Sequence, residues 1–282
     1  MRRTSLKNIL PGLRVNPGNT RQQDPQTVKN MSVAPDSPVI IHGDNWPLVE
    51  GLHHSGKEIL PEYRIYTSHT PSELLTLIYE HPDARLILCL QPREHIFLFY
   101  ALSGFLRYTK ATVVCDSVYF TDRVVMKMWN SIPAGIPPGD REELFATGKR
   151  IFMSSFMAGC SSDQPSPLFS GIFHDENDLT DAMNLYLQEY MARAGVSVFQ
   201  RKILEALLEG KRTSCIAESM GVCQNKIENH KSMIFRRLEM PTSSHAILYG
   251  MRFHSSLQRT SLKESNRLCT IVNKFVLSDR VV

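Results

Sequence analysis

The sequence is short of the features that mark membrane spans, metal fingers and the common hydrolases. No apolar run approaches the roughly 18 residues of a membrane-spanning helix. The start, MRRTSLKNILPGLRV, is basic but lacks the apolar core of a signal peptide, which predicts a cytoplasmic chain. The six cysteines (Cys89, Cys115, Cys160, Cys215, Cys223, Cys269) include no C-x-x-C pair. Cys215, Cys223 and His230 are spaced like no common zinc finger. There is no G-x-S-x-G, no phosphate-binding glycine loop and no H-E-x-x-H. His42, Asp44, His53 and His54 cluster in sequence, yet nothing beside them makes a nucleophile or a metal motif. The expectation is a non-enzyme with no cofactor and no membrane partner.

What is present is a polarity of charge. The formal net charge is +4 over 282 residues. Residues 1–37 hold six Lys/Arg and two Asp/Glu, and residues 38–195 hold 12 and 19. Residues 196–254 hold nine and five, and residues 255–282 hold five and two. An acidic middle and a basic far end suit a chain whose C-terminal part meets phosphates. Residues 1–37 are rich in Pro, Asn, Gln and Ser without apolar period, and read as a disordered basic arm.

Between residues 38 and 195, short apolar runs alternate with helical patterns. Val39-Ile40-Ile41, Tyr63–Tyr66, Ala84–Leu90 and Ala111–Cys115 read as strands. The stretch after Pro47, Pro71–His81 (Ser72 as its cap), Glu94–Tyr108 and Thr121–Trp129 read as helices. Strands alternating with helices imply a parallel sheet covered on both faces. A fifth strand is expected at Ser170–Phe173, which leaves residues 130–167 as an insertion. Asp178–Ala194 is an amphipathic helix, either the last of this domain or a connector between subunits.

Residues 196–254 read differently. Val198–Leu208 carries an apolar stripe, Ser214–Met220 is a short second helix, and Gly221-Val222 makes a turn. Cys223–Leu238 then places Ile227, Ile234 and Leu238 on one stripe. Its remaining surface carries Gln224, Asn225, Lys226, Glu228, Asn229, His230, Lys231, Ser232, Arg236 and Arg237. A solvated amphipathic helix with a basic face is the plainer reading of that stretch alone. Helix, short helix, glycine turn and basic helix together make the helix-turn-helix pattern. Amides can bond bidentately to adenine, and cations can reach guanine or phosphate. By position Glu228, Asn229 and Ser232 should face base edges, and Lys226, Lys231, Arg236 and Arg237 the backbone. His230 either touches a phosphate or packs between helices.

From Val196 to Met240 this part resembles the LuxR/NarL (FixJ-type) DNA-binding domain without a gap. Val196-Ser197, Ile203-Leu204, Leu207, Gly210, Ile216-Ala217, Met220, Val222, Ile227, His230, Ile234, Arg237-Leu238 and Met240 carry the likeness. Phe199-Gln200 stands where that family usually has Arg-Glu, Cys223 replaces a Ser cap, and Glu228 replaces a DNA-facing Lys. The resemblance implies a four-helix domain whose last helix, His245–Phe253, often supplies the dimer contact. The N-terminal half is similar to a response-regulator receiver, most clearly over VIIHGDNWPLVEGL. Of that family's acidic pair only Asp44 remains, and Cys89-Leu90-Gln91-Pro92 has no phosphoacceptor Asp. Hard cations need carboxylate oxygens, so aspartyl phosphorylation is not expected. The resemblances imply an α/β receiver-like domain over 38–195, an all-α helix-turn-helix domain over 196–254 and a C-terminal extension over 255–282. They imply a bacterial, nucleoid-associated transcription regulator that binds double-stranded DNA as a homodimer, or as a heterodimer with a response regulator. The alternative is an interaction protein that captures such a regulator without reading DNA itself.

Overall fold

The structure, a computed structural model, describes residues 37–106, 109, 111–135, 148–152, 173–263 and 265–266. The expected arm at 1–37 lies outside them but for Ser37.

Five strands form one parallel sheet among the described residues. They are β1 (Val39–Gly43), β2 (Ile65–Ser68), β3 (Arg85–Cys89), β4 (Ala111–Cys115) and β5 (Ser131–Gly135), in the order β2-β1-β3-β4-β5. Every residue of β1 and β4 is buried. Both faces of such a sheet are covered, so its strands read as continuous apolar runs rather than alternating ones. One face (Val39, Ile41, Ile87, Cys89, Val114) packs on α1 (Trp46–Ile59) and on Ile151 and Phe152 of a helical piece, α6, described over 148–152. The other face (Ile40, Leu86, Leu88, Val113) packs on α2 (Pro71–Glu80), α3 (Ile96–Ala101), α4 (Ser103–Leu106) and α5 (Phe120–Met128). This is the parallel α/β layer that the alternating pattern implied.

Three sequence expectations need correction. The fifth strand of the sheet among the described residues is Ser131–Gly135, paired from Ala111↔Ser131 to Cys115↔Gly135, and the strand expected at Ser170–Phe173 lies outside the described residues but for Phe173. Pro133 hid it, because a proline cannot donate to a ladder; β5 is last in the sheet order, where an edge strand tolerates one. The expected insertion at 130–167 therefore begins as sheet, while 136–147 and 153–172 lie outside the described residues. The single helix expected over Glu94–Tyr108 is a 3-10 turn (Pro92–Glu94), then α3, then α4. The break falls beside Ser103-Gly104, a pair that bends helices. The cap of α2 is Thr70, not Ser72: Thr70 Oγ1 accepts from Glu73 N (3.3 Å), and Glu73 Oε2 accepts from His69 N (2.9 Å) and Thr70 N (3.2 Å).

After α7 (Glu176–Arg193) the chain continues as α8 (Val198–Leu208), α9 (Thr213–Ser219), α10 (Gln224–Arg237) and α11 (Ser244–Gly250). Ile203, Ile216, Ala217 and Ile227 form their own small core. Leu204, Ile234, Phe235, Leu238, Met240, Ala246 and Ile247 instead join the large cluster that runs to the sheet. Apolar packing thus crosses the expected boundary at 195 without a break. No helix of the described residues is long and apolar enough to cross a membrane.

Candidate nucleic-acid interface

The interface is built around α10, and local sequence explains its placing. Ser197 Oγ accepts from Gln200 N (3.2 Å) while Gln200 Oε1 accepts from Ser197 N (3.0 Å), a reciprocal cap that starts α8. Between α9 and α10 the chain turns at Gly221, whose φ of +64° is left-handed backbone that a side chain would strain. Cys223 sits at the N-cap of α10 without a side-chain hydrogen bond. Ile227 (fully buried), Ile234 and Phe235 point α10 inward.

The outward face of α10 is open. Gln224, Asn225, Lys226, Asn229, Ser232 and Arg236 are exposed, and Glu228, His230 and Lys231 are half-buried. Glu228 Oε2 lies 3.6 Å from Lys231 Nζ, so the one carboxylate of the helix partly neutralises a cation of the same face. Gln224 Nε2 reaches Thr213 Oγ1 at 3.5 Å, tying the start of α10 to α9. Lys226 Nζ lies 5.7 Å from the centroid of the Phe199 ring.

Two residues of the expected face are engaged inward. Arg237 donates from Nη1 to Gly195 O and to Gln200 Oε1 (2.9 Å), which anchors α10 to the start of α8. His230 meets the Phe199 ring edge-on with centroids 5.0 Å apart, and its Nδ1 is 3.5 Å from Gln200 Nε2. The packing role of His230 is thus the one with partners. Sequence reading passed over Gln200 itself. It is almost fully buried and meets Ser197, Arg237 and His230, and its signal was its departure from the Arg-Glu pair usual in the resembled family.

The C-terminal helix, expected as a dimer contact, lies on the α/β layer. Tyr119 Oη is 3.0 Å from His245 Nδ1, and Thr121 Oγ1 donates to Tyr249 O (3.2 Å). Arg123 donates to Leu238 O and Phe120 N to Met240 Sδ (2.9 Å). The backbone comes close here: a Cβ on Gly250 would lie 2.2 Å from Met240 Cε and 3.0 Å from Tyr119 Cβ. Leu248 of the same helix stays 44% exposed.

A second concavity of about 480 Å³ opens at the C-terminal ends of β1, β3 and β4, the switch point of this strand order. Asp44, Asn45, Gln91, Glu94 and Asp116 are among its lining residues. Asn45, which stands in place of the second acid, accepts from Leu48 N (3.4 Å) as the cap of α1. His95 Nε2, 3.4 Å from Asp44 Oδ2, leads the causes that hold this carboxyl below its ordinary range, with Arg259 adding to it. Burial pushes the Cys115 thiol up to about 12 and Cys89 higher still, so neither is a nucleophile at neutral pH. No group of His, Cys, Asp and Glu among the described residues could hold a metal ion.

Comparison with known proteins gives one family match, "Bacterial regulatory proteins, luxR family", over residues 197–249. No curated protein matches the chain significantly. Among solved structures, RcsB from Salmonella enterica serovar Typhimurium bound to promoter rprA is 13% identical. It covers 77% of this chain and 98% of its own, with a TM-score of 0.44. A second RcsB structure, from Salmonella typhimurium, is 12% identical over 76% of this chain and 97% of its own (TM-score 0.35). The response regulator StyR is 14% identical over 84% and 99% (TM-score 0.27). These TM-scores are too low to define a shared overall arrangement. Residues 197–249, which build α8 to α11 with the open face of α10, are a luxR-family helix-turn-helix domain carried on a parallel α/β layer.

Proposed function

We propose that this chain is a sequence-specific, double-stranded-DNA-binding transcription regulator that acts as a dimer, independently of aspartyl phosphorylation. The observation that carries the reading is α10. Within a luxR-type domain, it presents Gln224, Asn225, Lys226, Asn229, Ser232 and Arg236 to solvent while Ile227 and Ile234 hold it in place. In this reading Asn229 and Ser232 meet base edges, and Lys226, Lys231 and Arg236 meet phosphates, which supply most of the affinity and its salt dependence. Arg237 and His230 position the helix. The α/β layer is a pseudo-receiver: Leu90-Gln91 follows β3 in place of an acceptor Asp, and Asn45 is a helix cap. Its input is therefore the protein's abundance or a partner, and its site of action is the nucleoid. Chemistry on a substrate has no place in it.

The rival reading is an interaction protein that pairs with another luxR-type response regulator and leaves the bases to it. Glu228 on the outer part of α10, and α11 lying on α5, favour it.

Genome-wide occupancy in the native cell separates the two, measured for wild type and Asn229→Ala with the partner regulator present and deleted. A self-sufficient reader loses sites in the mutant and keeps them without the partner. Sites that vanish without the partner yet ignore Asn229 establish the rival. In vitro, Asn229→Ala should weaken cognate binding by about 1–3 kcal/mol, whereas Lys231→Ala should weaken all sequences alike.

A further inference from the structure

The chain does not leave the molecule after α11. Met251 and Phe253 are buried, and Asn184 of α7 brackets Phe253, accepting from its N (2.8 Å) and donating to its O (3.1 Å). Gln258 then inserts between two segments: its Oε1 accepts from Ile96 N (2.9 Å), and its Nε2 donates to Arg93 O (2.9 Å) and His254 O (3.1 Å). Arg259 N donates to Glu94 O (2.9 Å). Its guanidinium donates from Nε to Glu94 Oε2 (2.8 Å) and from Nη1 to Asp44 Oδ2 (2.6 Å). Beyond it Thr260 and Leu262 are buried, Leu262 N donates to Glu176 Oε1 (3.2 Å), and Asn266 Nδ2 donates to Phe173 O (2.9 Å). Residues 251–263 therefore run on from the last helix of the luxR-type domain past the rim of the switch-point cleft. In a receiver that cleft would hold a cation, and here a guanidinium stands at its carboxylates.

We propose that residues 251–263 are an intrachain strap, with Arg259 as its plug in the Asp44–Glu94 socket, and that the seated strap holds α11 against α5. The vestigial pocket thereby stays in use, binding the chain's own arginine instead of a phosphoryl group and its metal. The division of labour along the strap follows from exposure. The Arg259 side chain is 57% exposed, so its ion pairs are partly screened and reversible, while Leu262 is dry. The contacts that fasten α11 are peripheral in part, since the Tyr119–His245 bond is exposed, so a tether on the chain just after α11 shifts their balance. As far as the strap concerns DNA binding, it rests on the reading above, because a seated α11 is withheld from a second copy of the chain.

Hydrogen exchange followed by mass spectrometry on the full chain tests this, with wild type, Arg259→Glu and Arg259→Lys. Arg259→Glu should raise exchange about tenfold over residues 93–96, α5 and α11, while the part of α8 around Ile203 stays protected. Arg259→Lys, which keeps a cation between the two carboxylates, should keep most of the protection over α5 and α11. Unchanged exchange at α5 and α11 in Arg259→Glu overturns the proposal, and so does Arg259→Lys as loose as Arg259→Glu. No DNA enters this measurement, so its failure and a failure of the DNA-reading proposal are told apart.

Discussion

At the scale of single residues, burial decides more than identity. His42, buried on β1, is held neutral: burial drives its pKa from 6.5 down to about 4, and the neighbouring His95 and His69 add to the shift. Ser68, whose Oγ lies 3.0 Å from His42 Nδ1, and Asp44 pull the other way. Between those two pH values the unfolded chain binds a proton that the folded one refuses. Stability is therefore complete above pH 6.5 and falls as the pH drops toward 4. The difference between pH 7 and pH 5 should be about 2 kcal/mol from this group. Urea midpoints at the two pH values check it, and His42→Asn should flatten the slope; an unchanged slope in that variant assigns the acid sensitivity elsewhere. Gly43, next in line, is fixed by space: a Cβ there would lie 2.2 Å from Cys89 O, so no side chain can be placed between β1 and β3 at that point.

At the scale of elements, the luxR-type domain depends on how α8 and α10 are pinned together. Gln200 serves as cap partner of Ser197, acceptor for Arg237 and neighbour of His230 at once. Gln200→Ala leaves Arg237 without its side-chain acceptor and weakens the start of α8. A loss of about 1–3 kcal/mol is expected in thermal or urea unfolding, with DNA affinity falling alongside because α10 loses its fixed angle. A variant as stable as wild type would show that Gly195 O alone holds Arg237. The helix-turn-helix elements were legible because their signals are local: Gly210, Gly221 and the apolar spacing of Ile203, Ile216 and Ile227 fix helices and turns within a few residues. β5 was not legible, because Pro133 and Gly135 argue locally against a strand, and only the free edge of β4 makes one of that segment.

At the scale of the molecule, one apolar cluster runs from Ile40 in the sheet through Met183 and Leu187 of α7 to Phe235, Ala246 and Leu262. Parts that share a core unfold together. Calorimetry should therefore show a single transition for the full chain, and the fragment 196–254 should be markedly less stable than the same residues in place, since Ile234, Phe235, Leu238 and Ile247 lose their cover. Two separated transitions, with the fragment matching one of them, would contradict a shared core.

Local sequence was enough for most elements, β5 apart: a parallel α/β layer, four C-terminal helices, a basic open face on α10 and a segment after β3 without an acceptor Asp. Each rests on periodicity, caps or the identity of one residue. Which partners those residues take came only with the folded chain. Arg237 turns to Gln200, α11 lies on α5, and Arg259 reaches Asp44 across the length of the chain. The difference is one of range. A cap or an apolar stripe acts over one helical turn, whereas a guanidinium chooses among all carboxylates that folding brings near it, and sequence spacing carries no record of that choice.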